Sequence, residues 1–254
     1  MVWDRRSRIL RFIEPSSQRG LEFGALDRPT ISRSEGEVYY VDHLATAQLK
    51  EKYRGVPGYD TDRIIDVDFT WSDIRLQDIV GHKGPFDYVI ASHMIEHVPD
   101  MIGWFNEVCE VLSPSGLISL VIPDRRYTFD FFRPETSISD LIACHLEKLK
   151  KPSARQIVEH YFLHASVDAV ALWRDPFASG SITRVHDDAF SMRKCREVIS
   201  SNEYHDVHCS VFTPASFYQV TTMLRKLNLI ECDIEAIFPT QPLEIDFFVS
   251  LRRA

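Results

Sequence analysis

Phe86-Asp87-Tyr88-Val89-Ile90-Ala91-Ser92-His93-Met94-Ile95-Glu96-His97-Val98-Pro99-Asp100 begins with an almost continuous apolar run. Phe86 to Ala91 has the pattern of a strand covered on both faces, as in a parallel sheet. Pro99-Asp100 then opens a helix, because Trp104, Phe105, Val108, Val111 and Leu112 recur at helical spacing up to Ser113-Pro114-Ser115-Gly116. Leu117 to Ile122 is a second apolar run of strand length, closed by Pro123-Asp124. Strand, helix and strand in so short a span imply parallel strands joined by a right-handed crossover.

The same alternation extends toward the N-terminus. Leu21 to Ala25 reads as a strand ending in a turn at Gly24, and Val38 to Asp42 as a second strand, followed by a helix over Ala45 to Tyr53. Ile65, Val67, Phe69 and Trp71 alternate with polar residues, which predicts a third strand. Ile9, Leu10, Phe12 and Ile13 share one face of a helix over residues 5–13, which Pro15 stops. Past Asp124 the alternation fails until about Val211, in a stretch with helical segments at Ile138 to Lys150 and Ala154 to Ala171. Thr213-Pro214 then opens a helix over Phe217 to Leu227, and strands follow near Ile230 to Phe238 and Ile245 to Leu251. The expectation is one α/β domain over residues 1–254, with a helical insertion at about 125–211.

Composition narrows the classes of function. Of 254 residues, 44% are hydrophobic and 26% charged, as in an ordinary globular chain. Asp and Glu outnumber Lys and Arg by 37 to 29, and a net charge of -8 argues against a duplex nucleic-acid partner. No apolar run approaches a membrane span, and Met1-Val2-Trp3-Asp4-Arg5-Arg6 lacks a secretory h-region, so a cytoplasmic protein is expected. None of the five cysteines forms a C-x-x-C pair, so no zinc ribbon is indicated.

In an open parallel sheet the ligand sits outside the carboxyl ends of the strands. The residues there are Glu22, Gly24 and Ala25 after the first strand and Asp42 after the second. Asp73 follows the third, Ser92 and His93 the fourth, and Asp124 the fifth. A carboxylate closing strand two is placed to accept both hydroxyls of a ribose, and Gly24 lets a ligand approach the backbone.

Glu22-Phe23-Gly24-Ala25, Asp42, the whole of residues 86–100 and Leu112-Ser113-Pro114-Ser115-Gly116 resemble the class I S-adenosylmethionine-dependent methyltransferases. The resemblance implies a Rossmann-like, seven-stranded, mostly parallel sheet with helices on both faces and S-adenosylmethionine as cofactor. It implies that Glu22, Gly24 and Ala25 flank the methionine moiety and that Asp42 holds the ribose hydroxyls. Asp73, or Asp68 should strand three end earlier, would approach the adenine, while Ser92 and His93 would line the cleft beside the sulfonium. The first loop departs from the family in carrying one Gly where two or three are usual.

His93-Met94-Ile95-Glu96-His97 matches the H-x-x-E-H pattern of a zinc peptidase class. That chemistry needs both imidazoles on one helical face, whereas His93 directly follows a strand. Ubiquinone-pathway O-methyltransferases carry acidic and His ligands for a divalent cation in the corresponding loop, and Glu96 and His97 match them. The alternative is that Glu96 and His97 brace the following helix, and no resident metal is the principal expectation.

An oxygen acceptor gains from a general base, and histidine titrates in the right range. The order of candidates is His208, His97, His205, the first and last flanking Asp206 in Tyr204-His205-Asp206-Val207-His208. Asp124, Arg125, Arg126 and Tyr127 leave strand five over the expected cleft and are the candidates for acceptor binding; Arg125, Arg126 and Arg133 would either hold an anionic acceptor or pair with nearby carboxylates as a surface network. Residues 123–130 and 206–214 resemble a bacterial methyltransferase subfamily associated with surface glycans, which implies O-methylation of a saccharide or nucleotide-linked saccharide. Two rivals remain. One is O- or N-methylation of a secondary metabolite or quinone precursor on the insertion's aromatic side chains, and the other an inactive methyltransferase-like binding subunit. Nicotinamide chemistry ranks last, since Gly24-Ala25-Leu26-Asp27-Arg28-Pro29 is no G-x-G-x-x-G turn.

Overall fold

The computed structural model describes residues 4–72, 74–201 and 203–254. Helix α1 (Arg5–Ile9) precedes strands β1 (Arg19–Phe23) and β2 (Glu37–Asp42). Helix α2 (Thr46–Lys52) leads to β3 (Phe69–Thr70), α3 (Leu76–Val80) to β4 (Phe86–Ser92), and α4 (Met101–Val111) to β5 (Leu112–Pro123). Then come α5 (Ile138–Leu146), α6 (Ala154–Leu163), a short ribbon of β6 (Ala165–Ser166) and β7 (Thr183–Arg184) enclosing α7 (Ala169–Arg174), and α8 (Asp188–Ser201). Helix α9 (Pro214–Lys226) and strands β8 (Cys232–Phe238) and β9 (Asp246–Arg253) complete the order.

The main sheet has seven strands in the order β3-β2-β1-β4-β5-β9-β8. The strands β1 to β5 are parallel, and β9 runs antiparallel to both neighbours. Strand order reverses between β1 and β4, so the crevice outside their carboxyl ends is where this topology accepts a ligand.

The alternating faces of the strands divide the core in two. Leu21, Phe23, Val89 and Ala91 pack with Trp104, Phe105 and Val108 of α4 and with Phe217 and Leu224 of α9. On the opposite face Val38, Tyr40, Tyr88 and Ile90 pack with Ile9 and Ile13 from the N-terminal segment. Helix α4 starts where Asp100 Oδ1 accepts the Gly103 N–H at 2.8 Å, and α9 starts at the Thr213 cap with Pro214 behind it.

Several boundaries differ from the sequence expectation. The third strand shrinks to Phe69–Thr70, because residues 61–63 form a 3-10 turn and the Ile65 N–H is taken by the Leu26 carbonyl. The N-terminal helix stops at Ile9 although Ile13 remains buried. The long helix expected over 154–171 breaks after Leu163, where Ala165 and Ser166 pair with Arg184 and Thr183. Helix α8 had no apolar stripe to announce it, since its buried face is Ser191, Cys195 and Val198. Strand β5 begins at Leu112 rather than Leu117, with a register shift against β4. Among the described residues no helix is long and apolar enough to cross a membrane.

Candidate active site

The carboxyl ends of β1, β2 and β4 open onto a cavity of about 480 Å³, a size suited to a small-molecule cofactor. Gly24 lies at its floor with φ +65, and a Cβ there would meet nothing within 4 Å. The left-handed backbone, rather than crowding, is therefore what calls for glycine. Asp42 also lines the cavity, its carboxylate buried at the end of β2. Its Oδ1 accepts the His43 N–H at 2.7 Å and lies 2.6 Å from His43 Nδ1. Trp71 and Trp104 supply apolar walls.

Other strand-end residues take different positions. Glu22 points to the opposite face of β1, where its oxygens accept the N–H groups of Thr30 (2.6 Å) and Ile31 (3.2 Å). Burial pushes its pKa up against those two bonds. Neither Glu22 nor Ala25 lines the cavity. Asp68 pairs with Arg33 at 2.9 Å and accepts the Tyr40 N–H at 2.7 Å, which fastens the short edge strand to β2. Asp73 lies outside the described residues, while its neighbour Ser72 reaches the cavity. Ser92 Oγ accepts from Arg5 at 3.1 Å and lies off the cavity, whereas His93 lines it.

His93 has a positive φ of 51, unusual for a residue with a side chain, with its N–H bonded to the Val121 carbonyl at 2.9 Å. Its Nε2 lies 3.0 Å from Asp246 Oδ1, and Asp246 in turn pairs with Arg5. Burial would lower the His93 pKa, but Asp246 and Glu96 hold it above its ordinary value.

Of the three histidines ranked as bases, only His97 lines the cavity. His208 is buried behind it with ring centroids 4.8 Å apart, and His205 Nε2 turns to Ser201 Oγ at 3.0 Å. Asp206 orients His97 rather than its sequence neighbours, with 2.8 Å between Asp206 Oδ1 and His97 Nδ1. Burial would depress the His97 pKa, and the Asp206 and Glu96 carboxylates reverse that, holding it high. His208 Nδ1 lies 2.5 Å from Asp130 Oδ2, and Arg133 bridges Asp130 to the His208 carbonyl. Two lining residues are linked through Lys52: His43 Nε2 lies 3.1 Å from Lys52 Nζ, which donates to Asp206 at 3.3 Å.

The acceptor candidates after β5 stand away from the cavity. Asp124 is fully buried and accepts from Arg126 at 2.6 Å and from Thr240 Oγ1 at 2.7 Å. Arg125 donates to the Phe131 carbonyl at 2.6 Å, and Tyr127 stacks on Trp173 with centroids 4.3 Å apart. Leu149, Lys150, Tyr204 and Asp206 are the insertion residues that do line it. Sequence spacing did not single out Asp130, Asp246 or Lys150, because each is joined to the site only by tertiary contacts.

A ring cluster behind His208 carries a pH dependence. Burial first, then the nearby His208 and Arg133 charges, push His160 from 6.5 down to about 3. Between those values the unfolded chain binds a proton that the folded chain refuses. Its contribution to stability is complete above pH 6.5 and falls by up to about 1.4 kcal/mol per pH unit as pH drops. His160→Phe should flatten the acid limb of the melting temperature between pH 6.5 and 4.5; an unchanged slope would assign that limb to other groups.

A seven-stranded sheet with its switch point at β1 and β4, a left-handed glycine and a buried carboxylate at the end of β2 defines a Rossmann-like, nucleoside-binding enzyme. The chain belongs to the methyltransferase domain family, whose model matches residues 4–220. It is an S-adenosylmethionine-dependent methyltransferase, and the cavity fits that cofactor, with Gly24 open to a close approach and Asp42 facing the ligand space.

No curated protein matches the chain by sequence. Among solved structures, one named for Zn-dependent alcohol dehydrogenases from Rhodobacter sphaeroides is similar at TM-score 0.50 and 13% identity, over 100% of this chain and 91% of that one. The CcbJ methyltransferase of Streptomyces caelestis is similar at 0.46 and 12%, over 98% and 94%. An S-adenosylmethionine-dependent methyltransferase of Mesorhizobium loti is similar at 0.44 and 14%, over 97% and 96%. Identities this low speak to the fold alone.

Proposed function

We propose that this enzyme methylates a hydroxyl of a saccharide or nucleotide-linked saccharide, in the synthesis of a bacterial surface glycan. The supporting observation is the make-up of the cavity wall contributed by the insertion. Phe129, Phe131, Phe132, Tyr161, Phe162 and Trp173, which would floor an aromatic acceptor, do not line it, whereas Leu149, Lys150, Tyr204 and Asp206 do. Lys150 and Asp206 give this wall a charged donor and a charged acceptor for a polyhydroxylated ligand.

Bound S-adenosylmethionine supplies an electrophilic methyl carbon on a sulfonium. Asp42 and Gly24, both lining the cavity, would hold its nucleoside and methionine ends. His93 and His97, which line the cavity, would present an acceptor oxygen to that methyl carbon. Such alignment is worth on the order of 7–11 kcal/mol. Activation of the hydroxyl falls to the histidine–carboxylate cluster around Glu96, whose cavity-facing member is His97; proton removal of this kind contributes about 10²–10⁴-fold.

The test is a transfer assay with isotopically labelled cofactor against nucleotide sugars, free oligosaccharides, catechols and amines. Label on a saccharide hydroxyl is the expected outcome. Label confined to catechols or amines would overturn the acceptor class and leave the methyltransferase intact.

A further inference from the structure

Glu96 is 1% exposed, and neither of its carboxylate oxygens has a hydrogen-bond partner. A buried polar group of this kind calls for an explanation. The carboxylate lies within ion-pair distance of two imidazoles, His93 Nδ1 at 3.6 Å and His97 Nε2 at 4.0 Å from Glu96 Oε1. One ligand atom each from Glu96, His97 and His208 lies within 4.8 Å of the others. Glu96 and His97 come from the turn after β4, whereas His208 is brought in from the far end of the insertion. It is held there because the Glu96 carbonyl receives the N–H groups of Cys209 and Ser210, the latter at 3.2 Å.

The outer contacts of both histidines have the form that metal sites require. A ligating imidazole usually directs its other nitrogen to a carboxylate, which sets ring orientation and basicity. His97 turns Nδ1 to Asp206 and His208 turns Nδ1 to Asp130, leaving both Nε2 atoms for the interior. Asp130 is itself fixed by buried Arg133 at 3.0 Å.

We propose that Glu96, His97 and His208 bind a divalent transition cation of the zinc class. Two imidazoles and one carboxylate without thiolate are the donor set such ions favour over magnesium or calcium. Metal–ligand bonds of about 2.0–2.2 Å require the three side chains to close in by roughly an ångström, which rotation of exposed-side His97 supplies. Three protein ligands leave coordination open, as in a catalytic rather than a structural site.

The role of the ion rests on the hydroxyl chemistry proposed above. An acceptor hydroxyl on the cation breaks its O–H bond more readily, the proton leaving to solvent and the lone pair staying on oxygen. His97 and His208 then act as ligands rather than as proton acceptors.

The test needs no acceptor. Chelator-treated full-length protein is titrated with Zn²⁺ by calorimetry, and the Co²⁺-loaded protein is examined by absorption spectroscopy. One ion per chain is expected, with Glu96→Gln weakening Zn²⁺ at least about 100-fold while S-adenosylhomocysteine binding persists. Asp206→Asn, a change at a half-exposed outer carboxylate, should weaken Zn²⁺ by about 10–100-fold and serves if Glu96→Gln fails to fold. Absence of Zn²⁺ uptake by the wild type, or wild-type uptake by a folded Glu96→Gln, would overturn the site, as would unchanged uptake by Asp206→Asn where Glu96→Gln does not fold. Zinc binding without saccharide methylation would instead remove the acceptor reading and leave the site standing.

Discussion

Asp42→Ala is expected to weaken binding of S-adenosylmethionine and S-adenosylhomocysteine by about 100-fold or more. The carboxylate is buried at the end of β2 and faces the cavity. Its two hydrogen bonds to a ribose would each be charge-assisted, worth about 1.5–3 kcal/mol, and no other carboxylate closes β2. The substitution shortens a side chain at the cavity edge and leaves both core faces of the sheet in place. Calorimetric titration should therefore show lost affinity with an unchanged melting temperature for the unliganded protein. Retention of wild-type affinity would mean that the nucleoside lies elsewhere in the cavity.

Arg133→Met should carry the largest cost in stability, about 3–5 kcal/mol, as expected when one member of a buried ion pair is removed. Arg133 is 1% exposed, pairs with Asp130 at 3.0 Å, approaches Glu159 at 3.5 Å and donates to the His208 carbonyl at 2.9 Å. Without it the Asp130 charge is left buried beside His208. Burial would raise the Asp130 pKa, and at present His208 and Arg133 together hold it below the usual carboxylate range. The melting temperature should fall by roughly 6–20 °C, taking 2–4 °C per kcal/mol for a chain of this size. Adding Asp130→Leu should restore part of the loss, since an apolar replacement of the whole pair is far less costly than half of one. A double variant no more stable than Arg133→Met would show that packing, rather than charge, sets the cost.

The two variants act on different parts of one assembly. Asp42 belongs to the sheet and faces the cofactor cavity. Arg133 belongs to the insertion and secures the loop that presents His208 to Glu96. Cofactor affinity should therefore survive partial loosening of the insertion, while methyl transfer should not.

Much of the fold was legible in residues 86–122 because burial on both faces leaves a near-continuous apolar run. A two-residue edge strand has no such requirement, which is why the alternation over 65–71 overstated β3. Helix α8 was silent for a related reason: its buried face is Ser191, Cys195 and Val198, two of them small and weakly apolar, so hydrophobic periodicity never rose above the surrounding polar residues.

The candidate site divides in the same manner. Gly24, Asp42, His93 and His97 could be read directly because each ends a strand, immediately follows one or lies in the loop after one, and strand ends define the ligand crevice in this topology. Which carboxylate orients which histidine could not: Asp206 reads as a partner of its neighbours His205 and His208 but meets His97. Asp130, Asp206 and Asp246 lie 78, 109 and 153 residues from the imidazoles they meet, and their pairing is decided by how the insertion and β9 return to the sheet. Local periodicity specified strands, helices and the order in which they alternate, because burial imposes that pattern residue by residue. The choice of partner for each buried charge was left to the tertiary structure, since an imidazole is satisfied by whichever carboxylate the fold brings within reach.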